Sequence, residues 1–315
     1  MRILFVKTSS LGDVIHQCPA VTDARTSFPE AVIDWVVEAP FAEIAQMHPA
    51  VRRVFPVSIR RWRKEIFRAS TRREFLDFRR GVRAETYDFV VDTQGLLKSA
   101  LISLQAKGVR HGFDSGSARE SIASVFYQVR HHVERGRHAI DRNRSLSAKA
   151  LGSTLKTGCD YGIGPKIANP IRADRKYCVL LSMTSRADKL WPEQNWSQLL
   201  LALRKRGLEG VLPWGSEAER VRCRRIVEAA GHGVVLPSMS LAELAGAMAG
   251  SFAVVGVDTG LSHLAAALKV PCVGIYCNTD SELTGLRGDG RLANVGGRAA
   301  SPSVEEVLSA FGDLF

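Results

Sequence analysis

The sequence predicts an α/β protein made of two Rossmann-like, doubly wound domains in tandem, and three observations predict it. Short apolar runs rich in Val, Ile and Leu alternate with stretches of helical periodicity along the 315-residue chain, the pattern of a parallel sheet covered by helices. The apolar runs end in polar, small-residue loops, which gathers those loops on one rim of each sheet, where open α/β folds bind ligands. The alternation stops in mid-chain at Thr157-Gly-Cys-Asp-Tyr-Gly-Ile-Gly-Pro165 and Asn169-Pro170, then restarts. The expected organisation is a first domain over residues 1–165 and a second over 166–300, their rims facing a cleft.

Composition supports two folded cores. The chain is 45% hydrophobic and 24% charged, as in ordinary globular proteins, and long enough for two domains. It contains no run of eighteen uncharged apolar residues. The apolar start at residues 3–6 is too short for a signal-peptide core and reads as a first strand, so the expectation is a cytoplasmic protein with no transmembrane segment. Cys18, Cys159, Cys178, Cys223, Cys272 and Cys277 form no Cys-x-x-Cys pair, and reduced, buried thiols are expected rather than disulfides or a metal site. The net charge of +11 is unevenly placed: residues 1–168 carry 27 Lys and Arg against 17 Asp and Glu, residues 169–315 carry 16 against 15. One half therefore meets a polyanion, with nucleic acid, an anionic membrane surface and a phosphorylated glycolipid as candidates.

In the first half, residues 2–7 read as a strand, 12–27 as a helix, 33–38 as a strand, 41–48 as a helix, and 90–92 as a strand ending in Thr93-Gln94-Gly95. The loop after the first strand, Thr8-Ser-Ser-Leu-Gly-Asp13, belongs on the rim. Gly12 admits close backbone approach, and Asp13 at the helix start reads as a cap or as a catalytic carboxylate, with spacing alone favouring the cap. Residues 52–83 hold the strongest charge run, twelve Lys and Arg against Glu65, Glu74 and Asp77. Most belong on solvated helix faces. Within the run, Arg60-Arg-Trp-Arg-Lys64 interleaves an aromatic with cations whose forks suit phosphate or carboxylate oxygens. No recognised nucleic-acid motif accompanies it. Lys98, Arg119 and the stretch His138–Arg144 add positive charge, Lys98 just after a rim loop.

In the second half, residues 177–181 read as a strand, 196–206 as a helix, 210–212 as a strand, 217–230 as a helix, 234–236 as a strand and 240–248 as a helix. Residues 252–257 are then apolar without alternation, a strand covered on both faces. Asp258-Thr259-Gly260 stand at its end. Leu261, Leu264, Ala265 and Leu268 recur at helical spacing, so a helix N-terminus and its dipole face that turn and favour an anion such as a pyrophosphate; Asp258 or Thr259 as a simple cap is the plainer reading. Residues 273–276 form the next strand. Neither Gly-x-Gly-x-x-Gly nor a P-loop occurs, which argues against dehydrogenases and P-loop enzymes. There is no Asp-x-Asp triplet to hold a diphosphate through a divalent metal, so protein cations and a helix terminus are expected to neutralise a leaving diphosphate.

Several segments together carry a resemblance. The stretch from Val254 to Leu268 resembles the donor-site signature of the lipopolysaccharide heptosyltransferases, inverting transferases of glycosyltransferase family 9, and Lys7-Thr-Ser-Ser-Leu-Gly-Asp-Val-Ile-His16 resembles their first loop. Ile59-Arg-Arg-Trp-Arg-Lys64, Asp92-Thr-Gln-Gly-Leu-Leu-Lys98, Asp188-Lys-Leu-Trp-Pro192 and Leu212-Pro-Trp-Gly215 match in order, so the resemblance covers nearly the whole chain. It implies the glycosyltransferase B-type fold, with a closing helix over 301–315 packing back on the first domain. It implies transfer of heptose from ADP-L-glycero-β-D-manno-heptose to the Kdo of Kdo-lipid A, without metal or cofactor, by a protein peripheral on the cytoplasmic face of the inner membrane. A later core step, or a non-enzymatic binder of anionic ligands or nucleic acid, is the alternative.

The resemblance also implies roles. Asp13 becomes the catalytic base, with Lys189 neutralising the leaving phosphate and Thr184 and Ser185 as phosphate-binding hydroxyls; the family has Thr-Thr where this chain has Thr184-Ser185. Glu219, with Glu217 as rival, meets the adenosine ribose. Asp258, Thr259, Gly260, Ser262 and His263 complete the donor side, although a helical His263 read by itself is a packing residue. Lys7, Ser10, Arg60, Arg61, Arg63, Lys64, Lys98 and Arg119 form the acceptor side.

Overall fold

Burial on both faces is what makes Ile3-Leu-Phe-Val6 a strand, since all four side chains are fully buried and such a run suits only a parallel sheet covered by helices. In the computed structural model, which describes residues 1–171 and 176–315, this is β1 (Arg2–Val6) of a six-stranded parallel sheet. Its companions are β2 (Val32–Glu38), β3 (Val51–Val57), β4 (Thr86–Asp92), β5 (Lys107–Phe113) and β6 (Val129–His131), in the order β3-β2-β1-β4-β5-β6. A second parallel sheet contains β7 (Tyr177–Leu181), β8 (Glu209–Leu212), β9 (Val234–Val235), β10 (Ala253–Val257), β11 (Cys272–Tyr276) and β12 (Leu292–Gly296), in the order β12-β11-β10-β7-β8-β9. The winding is the same in both. The chain starts at the centre, runs to one edge, returns beside its first strand and runs to the other edge. The α/β, doubly wound reading of each half holds, and the compact units are Met1–Ile163 and Gly164–Phe315.

Local chemistry explains where the elements differ from expectation. The helix expected over 12–27 is two helices, Leu11–Ile15 and Cys18–Ser27. Pro19 lies in the first turn of the second, where its missing N–H does no harm; inside a continuous helix its ring would collide with the carbonyl of Ile15. Strands β3, β5, β6 and β12 escape the sequence pattern because they lie toward or at the sheet edges; β3, β5 and β6 carry Arg, Lys, His or Pro, and β12 carries Asn294 and Gly296, in place of a continuous apolar run. The basic run takes in β3 from Arg52 onward and two helices, Ile59–Lys64 and Ala69–Arg83.

The closing helix packs within the second unit. Val304–Gly312 places Val304, Val307 and Phe311 in the buried core of the second unit with Trp191, Trp196, Val273 and Ile275. Its apolar stripe covers β11 and β12, and Trp191 Nε1 donates to the Pro302 carbonyl at 2.8 Å.

One strand in from the edge of the first sheet, Asp34 is fully buried inside β2. It accepts from Arg52 at 2.7 and 3.0 Å, from Arg53 at 3.0 Å and from the Tyr87 hydroxyl at 2.8 Å. Burial by itself would raise the carboxyl's pKa, but the donors Arg52, Tyr87 and Arg53 hold it below the usual range. A carboxyl depressed in the folded state stabilises above its unfolded value of about 4, and that stabilisation is lost as pH falls. Asp34→Asn is therefore expected to cost about 2–4 kcal/mol at neutral pH, as for a broken buried charge cluster. The gap from wild type in urea midpoints should narrow below about pH 4; a constant gap would show that charge plays no part.

Candidate active site

A doubly wound sheet leaves a crevice where the chain reverses its winding, because the loops after the two neighbouring central strands leave in opposite directions. In the first sheet those strands are β1 and β4. Their loops are tied together: the Gln94 side-chain oxygen accepts from the Thr8 and Ser9 amides at 3.1 and 3.2 Å, and Asp92 Oδ1 accepts from the Gln94 and Gly95 amides. Gly95 has φ +65°, and a Cβ there would stand 3.0 Å from Phe113, so the turn requires glycine.

This frame fixes Asp13. Its Oδ2 accepts from the Ser10 amide at 3.0 Å, the capping contact its spacing suggested. The same carboxylate receives Arg119 on both oxygens, at 2.6 and 3.3 Å, and Lys7 Nζ lies 3.9 Å away. Burial would raise its pKa, but Lys7, Arg119 and the Ser10 amide outweigh burial and hold it below the ordinary carboxylate range. Lys7 is buried and donates to the Thr93 carbonyl at 2.9 Å and Asn143 Oδ1 at 3.2 Å. Burial lowers its pKa to about 8, with Asp13 pulling the other way. Lys7, Gln94, Arg119, Arg142 and Asn143 line a cavity of about 20 Å³, room for roughly one water.

Of the other residues expected on the acceptor side, Ser10 heads the Leu11–Ile15 helix and half-buried Lys98 donates to Ser9 Oγ at 2.7 Å. Thus Lys7, Ser10, Asp13, Lys98 and Arg119 share one rim. Arg60, Arg61, Arg63 and Lys64 are exposed on the helix that follows β3, and Arg61 is paired with Glu74. Glu38 went unassigned in the sequence although it ends β2 at the rim and is buried. Burial raises its pKa, opposed by Lys98 and Arg60. Gln94, Arg142 and Asn143 also went unassigned; Gln94 was marked by its position after a strand and Arg142 by the basic stretch His138–Arg144.

In the second sheet the reversal lies between β7 and β10, and Asp258 is its hub. Lys189 Nζ donates to Asp258 Oδ2 at 2.7 Å, Thr279 Oγ1 donates to the same oxygen at 2.7 Å, Thr184 Oγ1 donates to the Asp258 carbonyl at 3.1 Å, and His263 Nε2 lies 3.9 Å from Oδ1. The helix Gly260–Ala267 starts here with Thr259 at its N-cap position, presenting first-turn amides and the positive dipole end. Ser262 turns inward, its hydroxyl donating to the Val257 carbonyl at 2.7 Å. Ser185 is exposed on the β7 loop. Glu219 accepts from the Gly215 amide at 2.7 Å, next to the loop after β8, whereas Glu217 pairs with Arg220. Thr279 was missed, yet it follows β11 and so belongs on the same rim.

The arrangement offers an ionised carboxylate on one rim and, on the other, a lysine, hydroxyls and a helix terminus suited to an anion. Among the described residues no group of three or more His, Cys, Asp or Glu stands together as a metal site. Because the Lys7 ammonium, with Arg119, favours the ionised form of Asp13, Lys7→Met is expected to move the Asp13 carboxyl toward the ordinary value of about 3.9. Carboxyl-carbon NMR titration reads this directly, and an unmoved Asp13 would assign the effect to Arg119.

Comparison with known proteins gives the family and the fold. The model of glycosyltransferase family 9 (heptosyltransferase) matches residues 75–310. The chain is 47% identical over 295 residues to lipopolysaccharide heptosyltransferase 1 of Escherichia coli strain K12, covering 93% of this chain and 92% of that one. The solved structure of E. coli heptosyltransferase WaaC with ADP matches with a TM-score of 0.91 at 42% identity over 100% of both chains. Its form with ADP-2-deoxy-2-fluoro heptose matches at 0.89 and 42% over 99% of both.

Proposed function

The chain belongs to glycosyltransferase family 9, the heptosyltransferases, and from that premise we propose that it transfers heptose from ADP-L-glycero-β-D-manno-heptose to the Kdo of Kdo-lipid A, the first heptose of the lipopolysaccharide inner core. The observation that carries the reading is the pairing of Lys189 with Asp258 at the head of the Gly260–Ala267 helix, a site that gains electrostatically when a diphosphate arrives. Relatives named heptosyltransferase 1 and structures solved with ADP and an ADP-heptose analogue support the donor and the step.

In the proposed reaction an acceptor hydroxyl oxygen attacks the anomeric carbon of the heptose while the bond from that carbon to the diphosphate oxygen breaks. The electron pair leaves on ADP, the hydroxyl proton goes to Asp13, and one displacement inverts the anomeric centre. Asp13 is suited to remain ionised at neutral pH because Lys7 and Arg119 hold its pKa down. The same cations make it a weak base while both are engaged. An acceptor carboxylate that draws Arg119 away would raise the basicity of Asp13 as the hydroxyl arrives. Lys189, Thr184, Ser185 and the helix head, Thr259 and Gly260, receive the leaving charge, with His263 beside Asp258. Glu219 serves the ribose. The cations supply what a divalent metal supplies in transferases with an Asp-x-Asp triplet, so no metal or cofactor enters the reading.

The acceptor is lipid-borne, and no helix among the described residues is long and apolar enough to cross a membrane. We therefore place the protein peripherally on the cytoplasmic face of the inner membrane. The decisive experiment mixes the protein with ADP-heptose and Kdo-lipid A in EDTA; ADP and heptosylated lipid should appear in equal amounts, and a strict Mg²⁺ requirement would overturn the metal-free reading.

Two substitutions separate the roles. Asp13→Asn is expected to lower turnover by roughly 10²–10⁴ with ADP affinity nearly intact, and wild-type turnover would return Asp13 to helix capping alone. Lys189→Ala is expected to weaken ADP binding and slow transfer by about 10²-fold or more. Unchanged ADP affinity by calorimetry would remove Lys189 from the phosphate site.

A further inference from the structure

The tip of a tight turn is ordinarily polar. Between the helices Ile59–Lys64 and Ala69–Arg83 the chain turns through Glu65-Ile66-Phe67-Arg68, closed by the Arg68 amide donating to the Glu65 carbonyl at 3.0 Å. Its two tip residues are apolar and outward: Ile66 is 59% exposed and Phe67 87%, the highest exposure of any large hydrophobic side chain among the described residues. Leu76, on the outer face of the second helix, is also exposed.

The turn is mounted on a packed base. Trp62 meets Phe75 edge-on with ring centroids 5.8 Å apart, contacts Phe78 at 6.1 Å, and donates from Nε1 to Glu74 Oε2 at 3.0 Å. Arg61 pairs with the same glutamate. The exposure of Phe67 is thus a feature of an anchored turn. Around it, Arg63, Lys64, Arg72 and Arg73 are exposed and form no ion pair with any described residue, while Arg68 pairs with Glu65 at 3.4 Å.

We propose that residues 65–68 are a membrane wedge: Ile66 and Phe67 enter the acyl boundary of an anionic bilayer while Arg63, Lys64, Arg72 and Arg73 remain at its phosphates. This deepens, and rests on, the peripheral placement proposed above. The commitment to a bilayer comes from charge complementarity joined to an apolar tip. Cations alone suit any polyanion, but nucleic acid would leave Ile66 in water, and a bilayer interface accommodates both halves of the motif. The two tip residues occupy positions that neither the donor nor the acceptor reading uses.

Vesicles of phosphatidylethanolamine and phosphatidylglycerol, free of acceptor lipid, test the proposal against vesicles of phosphatidylcholine alone. Wild type should sediment with the anionic vesicles, and the Ile66→Ser/Phe67→Ser double variant should partition about tenfold more weakly or worse, given the apolar area withdrawn. Arg72→Gln/Arg73→Gln should lose roughly fivefold per cation at low salt. In the Ser variants ADP affinity and transfer to a delipidated, water-soluble acceptor should stay at wild-type level, while transfer to vesicle-embedded acceptor falls. As an independent readout, the indole of Phe67→Trp should be quenched by brominated acyl chains. Wild type that ignores anionic vesicles would sink the peripheral placement itself. Wild type and Ser variants binding equally, or an indole that escapes quenching, would sink the wedge alone. A Phe67-dependent dimer, or RNA binding through the same residues, would replace the bilayer as occupant.

Discussion

The reversal of winding beside the first strand of each sheet is the constraint on which the rest depends. Parallel strands covered by helices have to emit all their following loops on one rim, and only beside the central strand do two neighbouring loops diverge and leave space. Both sheets share the same strand order. Asp13 and Lys98 follow β1 and β4, and Lys189 and Asp258 follow β7 and β10, so the chemistry-bearing side chains of each half collect at its own crevice without being near in sequence.

At each crevice a carboxylate is held by a cation, but the two clusters differ in kind. Asp13 is surrounded by more positive charge than it can neutralise, through Arg119 on both oxygens and Lys7 behind it. That surplus suits a further anion. Asp258 works the other way, orienting Lys189 and Thr279 toward the head of a helix, so in the proposed reaction the lysine would already be placed for a diphosphate. Orientation before arrival reduces the reorganisation that charge transfer would otherwise demand.

The basic excess of the first half resolves into distinct physical roles. Arg52 and Arg53 neutralise the buried Asp34 and stitch β2 to β3 and β4. Lys7 and Arg119 tune Asp13. Arg61 clamps the helix that carries it to Glu74, while Arg63, Lys64, Arg72 and Arg73 surround an apolar turn and form no ion pair with any described residue. A net charge summed along the sequence cannot separate these, because what distinguishes them is depth and partner.

The sequence by itself determined the α/β class, the two doubly wound halves, the rim loops and the helix after β10, because buried central strands need continuous apolar runs and rim turns need small or polar residues. The family was legible for the same reason, since its motifs sit in those loops. Edge strands such as β3 and β12 were not legible, as a half-exposed strand need not be apolar. Only the tertiary structure decided that Val304, Val307 and Phe311 complete the second core and that Glu219 and Glu217 have different partners. It also decided that Asp13 is both helix cap and charge-paired carboxylate. The physical reason is that side chains 106 residues apart, as Arg119 and Asp13 are, meet through the ordering of strands in a sheet, and that order leaves no periodicity in the chain.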